Sequence, residues 1–239
     1  MRITKPIVRS GDRRSAPLQL ERYQAKTVRV NRRRVYEING YQYPGVTTVL
    51  STTKPAAARK ALYEWRQRMG QEAAQSIANK ASSAGTRLHK QIAAFLRGEA
   101  VDIPADIGGY WESMRPILDA VDEVFLVEGA VWHDAGYVGF PDAVMQYQGK
   151  MCVCDWKTAL KPKKREWISD YCLQVAAYAQ AIEQVYGATG VKMAGALIAI
   201  AMDDAPAQTF WLDPSDLETH WQQFQQRLDE YYVLRPRVF

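Results

Sequence analysis

Residues 137–147 and 151–156 alternate apolar with polar or small side chains, and residues 148–150 between them suit a tight turn. That stretch commits the chain to a β-hairpin. An amphipathic helix is expected next, over 165–186, stopping at Gly187. The apolar run 191–201 then reads as a long strand near the centre of a sheet. A hairpin followed by a helix and a buried strand requires a sheet with helices packed against it.

The remaining segments fit that plan. Residues 1–26 lack periodicity and read as a basic arm. Residues 27–38 alternate and form a small hairpin, turning at Asn31-Arg32 or at Asn39-Gly40. Pro44-Gly45 breaks the chain. Helices fill 46–124: a first capped by Thr47 or Thr48, a second from Pro55 to about residue 80, a third over 83–97, and a fourth over 110–124 with Pro116 inside it. Strands are expected at 125–132 and 208–212, and a last helix at 217–233 behind Asp213-Pro214. The fold class is α/β, a mixed central β-sheet flanked by helices, preceded by a helical region. Beyond the arm, 27–239 form one domain: a helical part (46–124), a core (125–212) and a C-terminal helix (213–233).

Hydrophobic types make up 47% of the 239 residues, enough for one core. No apolar run approaches the ~20 residues that span a bilayer, and no secretory signal opens the chain. A cytoplasmic protein of a bacterium or a phage-infected cell is expected, in preference to an organelle matrix. Cys152 and Cys154 alternate on one strand face and, with Cys172, fit buried small hydrophobes in a reducing compartment better than a zinc site. Charge is uneven. Residues 1–34 hold eleven Lys or Arg against two acids, a balance of +9, whereas the rest holds 20 against 24, a balance of −4. A basic arm on an acidic body suits a polyanionic partner and suits a solubilising tail equally.

The chemistry lies on the hairpin. Gly139-Phe140-Pro141-Asp142 is followed thirteen residues later by Asp155-Trp156-Lys157. Asp155 and Lys157 point to the same side of their strand, and Asp142 lies on its neighbour. Val138 and Val144 share the parity of Asp142, as Val153 shares that of Asp155, so charged groups occupy inward-facing rows. Burying two carboxylates and an ammonium together is costly unless they pair or hold a metal. Two carboxylates on adjacent strands suit Mg²⁺, a hard cation that keeps several waters, and Mn²⁺ can substitute. The competing interpretation is an ordinary buried Asp–Lys ion pair.

Pro141-Asp142 and Asp155-Trp156-Lys157 resemble the signature of the PD-(D/E)XK nuclease superfamily. Gln174-Val175-Ala176-Ala177-Tyr178 resembles the Q-x-x-x-Y motif of its RecB-like branch, and Gly85-Thr86-Arg87-Leu88-His89 resembles that branch's G-T-x-x-H motif. Tyr43–Leu50, Trp65–Met69 and Asp155–Thr158 are similar to the mitochondrial genome maintenance exonuclease family and its phage and bacterial relatives. The likeness covers about residues 40–200.

It implies a metal held by Asp142, Asp155 and the Trp156 carbonyl, with His89 beside it as a further ligand and Lys157 as the catalytic lysine. It implies that Gln174 and Tyr178 orient the site and touch DNA, and that an iron–sulfur cluster, which takes four cysteines in such enzymes, is not expected. Read without the family, Gln174 and Tyr178 share a helix face with Ala181 and Ile182 and suit plain packing equally well. Glu128 fits a solvent-facing side chain better than a further metal ligand. The loop with Lys161, Lys163, Lys164 and Arg165 follows the site and is expected against phosphates. Trp65, Trp156 and Trp167 are candidate stacking platforms for unpaired bases. The expectation is a DNA exonuclease preferring single strands or free ends, in replication, repair or recombination. An endonuclease of the same fold and an inactive DNA-binding module are the alternatives.

Overall fold

The computed structural model describes residues 18–236. A five-stranded mixed sheet forms its centre, in the order β10 (Gln208–Leu212), β9 (Gly195–Ala201), β8 (Lys150–Thr158), β7 (Ala143–Tyr147), β4 (Val121–Val127). β8 and β9 are parallel, joined across one face by α5 (Ser169–Tyr186), and every other neighbour is antiparallel. Every residue of β9 is buried, as its unbroken apolar sequence requires.

Alternation along the strands divides the core between the two faces. Val144, Val153, Ile198 and Ile200 face α5, α6 (Pro214–Leu234) and α1 (Val46–Thr52). Ala143, Met145, Cys152, Cys154 and Trp156 face α3 (Gln71–Leu96) and α4 (Gly108–Asp119). Cys152 and Cys154 lie 3.5 Å apart by sulfur and, like Cys172 in the opposite core, are buried. No helix among the described residues is long and apolar enough to cross a membrane.

Four expected boundaries move. The break between the second and third helices falls at Gly70 (φ 80°), so α2 (Ala56–Met69) is short and α3 runs unbroken through Ser82-Ser83. Ser82 and Ser83 are absorbed by helical side-chain bonds, from Thr86 Oγ1 to the Ser82 carbonyl and from Arg87 to Ser83 Oγ. α4 stops at Asp119 because Val121 and its neighbours pair with β7, a tertiary pairing that overrides local helical preference. The strand expected over 125–132 is cut at Glu128, which adopts φ 52°, and resumes as β5 (Val131–His133). The strand expected over 137–147 is cut at Phe140-Pro141-Asp142 into β6 (Tyr137–Gly139) and β7. Proline cannot donate to a ladder, so β6 pairs with β5 and the chain then crosses to the central sheet.

The first-expected hairpin is a three-stranded sheet of β1 (Lys26–Val30), β2 (Arg33–Ile38) and β3 (Tyr41–Tyr43), using both candidate turns. Residues 1–17 of the arm lie outside the described residues. Residues 18–25 pack along the body: Leu20 is buried and its N–H donates to the Phe125 carbonyl, and Arg22 Nε donates to the carbonyls of Val127 and Glu128.

Candidate active site

The β7–β8 ladder ends at Ala143 opposite Cys154, so the next step of the same register sets Asp142 beside Asp155. Asp142 sits at the bend that opens β7. Two contacts aim its carboxylate: Oδ2 accepts from the Trp156 N–H at 2.6 Å and Oδ1 meets His89 Nδ1 at 3.0 Å. Its own carbonyl accepts from the Glu128 N–H. Gly139 is required three residues earlier, because a Cβ there would lie 2.5 Å from the Tyr178 ring. The Gly-Phe-Pro-Asp segment is therefore held against α5 at one end and against β8 at the other.

Asp155 is the most enclosed acid of the cluster, its side chain 3% exposed. Oδ1 accepts from Gln174 Nε2 at 3.0 Å, and the same amide donates to the Tyr178 hydroxyl at 2.8 Å. Oδ2 lies against the Lys157 ammonium in a buried ion pair. Lys157 also lies over the Tyr171 ring. Tyr171, Gln174 and Tyr178 thus project from one face of α5 onto the site. Spacings of three and four on a helix could have revealed Tyr171 in the sequence.

The titration of this cluster reflects burial set against mutual charge. Burial pushes the Asp155 carboxyl up; Lys157 pulls it back and Asp142 adds to the rise, leaving it raised. Burial alone would lower the Lys157 ammonium, but Asp155 and Asp142 outweigh it and the net direction is up. The same balance holds at His89, where burial lowers and the bond to Asp142, with the charges of Asp142 and Asp155, raises. The Tyr178 hydroxyl is driven far up by burial and by the nearby Asp155.

This donor set fits a hard divalent cation. Mg²⁺ is ordinarily held by one or two carboxylates and completed by water and substrate oxygens. Asp142 and Asp155 supply two carboxylates side by side, and Asp155 is a buried acid whose Oδ2 meets only the Lys157 ammonium. Among the described residues no group of three or more His, Cys, Asp or Glu converges on one point. His89 faces Asp142 through Nδ1. An open groove of about 430 Å³ runs beside His89, lined by Gly85, Thr86, Lys90, Arg97 and Glu128 among others.

The remaining candidates divide. Trp156 offers its main chain to the site, but its ring is buried in the α3–α4 core and is no stacking platform. Trp167 is 61% exposed, with Lys164 over its ring. Lys161 is exposed, and the main chain of Lys163 is pinned to Gln208. Arg165 turns away to pair with Asp216 on α6 and bonds the Trp211 carbonyl. Glu128 reaches Arg97 at 2.7 Å, and its N–H donates to the Asp142 carbonyl.

A twisted mixed sheet with two acids and a lysine at the mouth of its central hairpin defines a nuclease core. The chain belongs to the PD-(D/E)XK nuclease superfamily, whose profile matches residues 41–233. It is similar to mitochondrial genome maintenance exonuclease 1 of Homo sapiens, 32% identical over 198 residues, and to that of Xenopus tropicalis, 33% identical over 200. Each match covers 79% of this chain, and the chain spans 58% and 57% of those relatives' length. A crystal structure named for an exonuclease from Eubacterium rectale overlaps 65% of this chain and 69% of its own, with TM-score 0.45 and 12% identity, too loosely to add to either conclusion.

Proposed function

We propose that this chain is a divalent-metal-dependent DNA exonuclease that removes nucleotides from free ends and prefers single strands, with Mg²⁺ as its ion and Mn²⁺ as a substitute. The observation that carries the reading is the placing of Asp142 beside the buried Asp155 on adjacent strands, with the Lys157 ammonium against Asp155. The similarity to relatives named as exonucleases supports the choice of end-directed digestion. DNA maintenance in replication, repair or recombination is the corresponding process.

Asp142 and Asp155 would hold the ion. A divalent cation there supplies Lewis acidity to the phosphodiester and makes an attacking water more acidic. The protein's own contribution is preorganisation. Gln174 fixes Asp155 through Oδ1, and Lys157 meets Oδ2. His89 and the Trp156 N–H fix Asp142. Lys157, held protonated by the two carboxylates, acts as a cation: it stabilises negative charge building on the phosphate and orients water, and does not serve as a base. Tyr171 and Tyr178 close the α5 side against solvent.

End-labelled linear single strands, circular single strands and linear duplex, each with Mg²⁺, test the end-directed part of this reading. Linear strands degraded and circles spared is the expected result. Circles cut at a comparable rate would make the enzyme an endonuclease, and DNA retained without metal-dependent cleavage would make it a binding module.

A further inference from the structure

The β1–β3 sheet carries a charge arrangement that its own fold does not explain. Lys26, Arg29, Arg32, Arg33 and Arg34 are all exposed, and none forms an ion pair among the described residues. The register sets Arg29 directly opposite Arg34. Like charges facing each other across a strand pair are destabilising unless an anion lies between them.

Strand parity decides where that pair points. Val30, Arg33 and Val35 face the end of α6, beside Tyr231 and Tyr232. Arg29, Arg34 and Tyr36 occupy the opposite face. There the Arg34 guanidinium lies over the Tyr36 ring, 5.6 Å from its centroid, and Tyr36 packs on Phe140 with ring centroids 4.8 Å apart. Tyr36 is seated closely on Gly45, where a Cβ would come within 3.0 Å of the ring. Phe140 is 36% exposed and stands two residues before Asp142. Two guanidiniums without an acid partner thus lie beside two packed aromatic rings, the second of them two residues before Asp142 in the chain.

We propose that this face of the β1–β3 sheet is a second binding surface for the substrate strand, with backbone phosphates bridging Arg29 and Arg34 and an unpaired base lying on Tyr36 and Phe140. Guanidiniums bind phosphate bidentately, and aromatic faces accept any base, so the surface would grip a strand without reading its sequence. The proposal rests on the nuclease reading for the identity of its ligand. It deepens that reading by assigning where the strand lies beyond the reacting phosphate.

The test is fluorescence anisotropy of a labelled oligothymidylate on the full chain without divalent metal, over a series of salt concentrations. Arg29→Ala/Arg34→Ala is compared with Lys26→Ala/Arg33→Ala, which removes the same charge from the other face. The first double variant is expected to weaken binding about tenfold or more and to flatten the salt dependence by about 1.4 in log–log slope, two single-strand phosphate contacts at about 0.7 each. Its thermal midpoint should hold or rise, since a like-charge pair is relieved. The control double should stay within about threefold of wild type at the same salt. Equal loss in both doubles, or none in the first, overturns the surface. Wild-type cleavage separates the two ideas: cutting with an unaffected first double removes the surface alone, and strong, Arg29/Arg34-dependent binding without cutting removes the nuclease reading alone. No binding of any strand by wild type overturns the surface, and if wild type also fails to cleave with Mg²⁺ it overturns both.

Discussion

The three charged residues at the hairpin mouth are held from two sides, Asp142 by His89 of α3 and the Trp156 N–H, and Asp155 and Lys157 by Gln174 and Tyr171 of α5. Lys157→Ala should lower cleavage about 10²–10³-fold, the usual effect of losing one preorganised charge-stabilising donor, with DNA binding largely kept; single-turnover rates beside anisotropy check it. His89 gives a pH prediction. Its folded value lies above its ordinary 6.5, so its bond to Asp142 contributes stability that is complete below about 6.5 and is lost as pH rises through the raised value. The metal-free protein should therefore melt at a lower temperature at about pH 8 than at about pH 6, and His89→Gln should flatten that slope. Asp155 is raised as well, and its contribution has the same sign in a more acidic window. Cation affinity should move oppositely, rising with pH as protons leave the site, which titration calorimetry at several pH values would read.

Among elements, the β6–β7 junction matters most. Gly139→Ala forces a Cβ against Tyr178, and overpacking of this kind costs about 1–3 kcal/mol. Because that junction carries Asp142, cleavage should fall along with the melting temperature. Tyr178→Leu should partly relieve the clash, so the two substitutions should be non-additive in a stability cycle. This junction also shows where sequence reasoning stops. Alternation in 137–147 revealed an extended segment and the parity of Asp142. It could not reveal that Pro141 ends one ladder and begins another, because pairing partners lie outside the local pattern. The break at Gly70 escapes the local pattern for a similar reason: a gap is expected between residues 80 and 83, and the helix runs unbroken through it. Glu128 looked like a strand residue, and its left-handed backbone is imposed by the bonds to Asp142 and Arg97.

For the whole molecule, the order of helices, hairpin, helix and buried strand was enough to derive a mixed sheet covered by helices, since few arrangements bury β9 completely. Asp142, Asp155 and Lys157 were legible because charges on inward rows stand out against Val144 and Val153. Arg165 and Trp156 were not, since a loop arginine and a strand tryptophan look alike whether they face DNA, a neighbouring helix or the core. The surface across Arg29, Arg34, Tyr36 and Phe140 joins residues more than a hundred positions apart, and only the folded chain brings it together. Binding to a single strand should weaken linearly in log–log terms as salt rises, because phosphate contacts release counterions; anisotropy over a salt series checks it.

The central claim is that Asp142, Asp155 and Lys157 form one metal-dependent phosphodiester-cleaving site. The most direct measurement is the single-turnover cleavage rate of end-labelled linear single-stranded DNA, with Mg²⁺ and with chelator, for wild type, Asp155→Asn and Lys157→Ala. The account predicts that chelator abolishes wild-type cleavage and that both variants, folded and still binding DNA, cleave about 10²-fold or more slower with Mg²⁺. Wild-type cleavage that survives chelation, or that either variant retains undiminished, would contradict it.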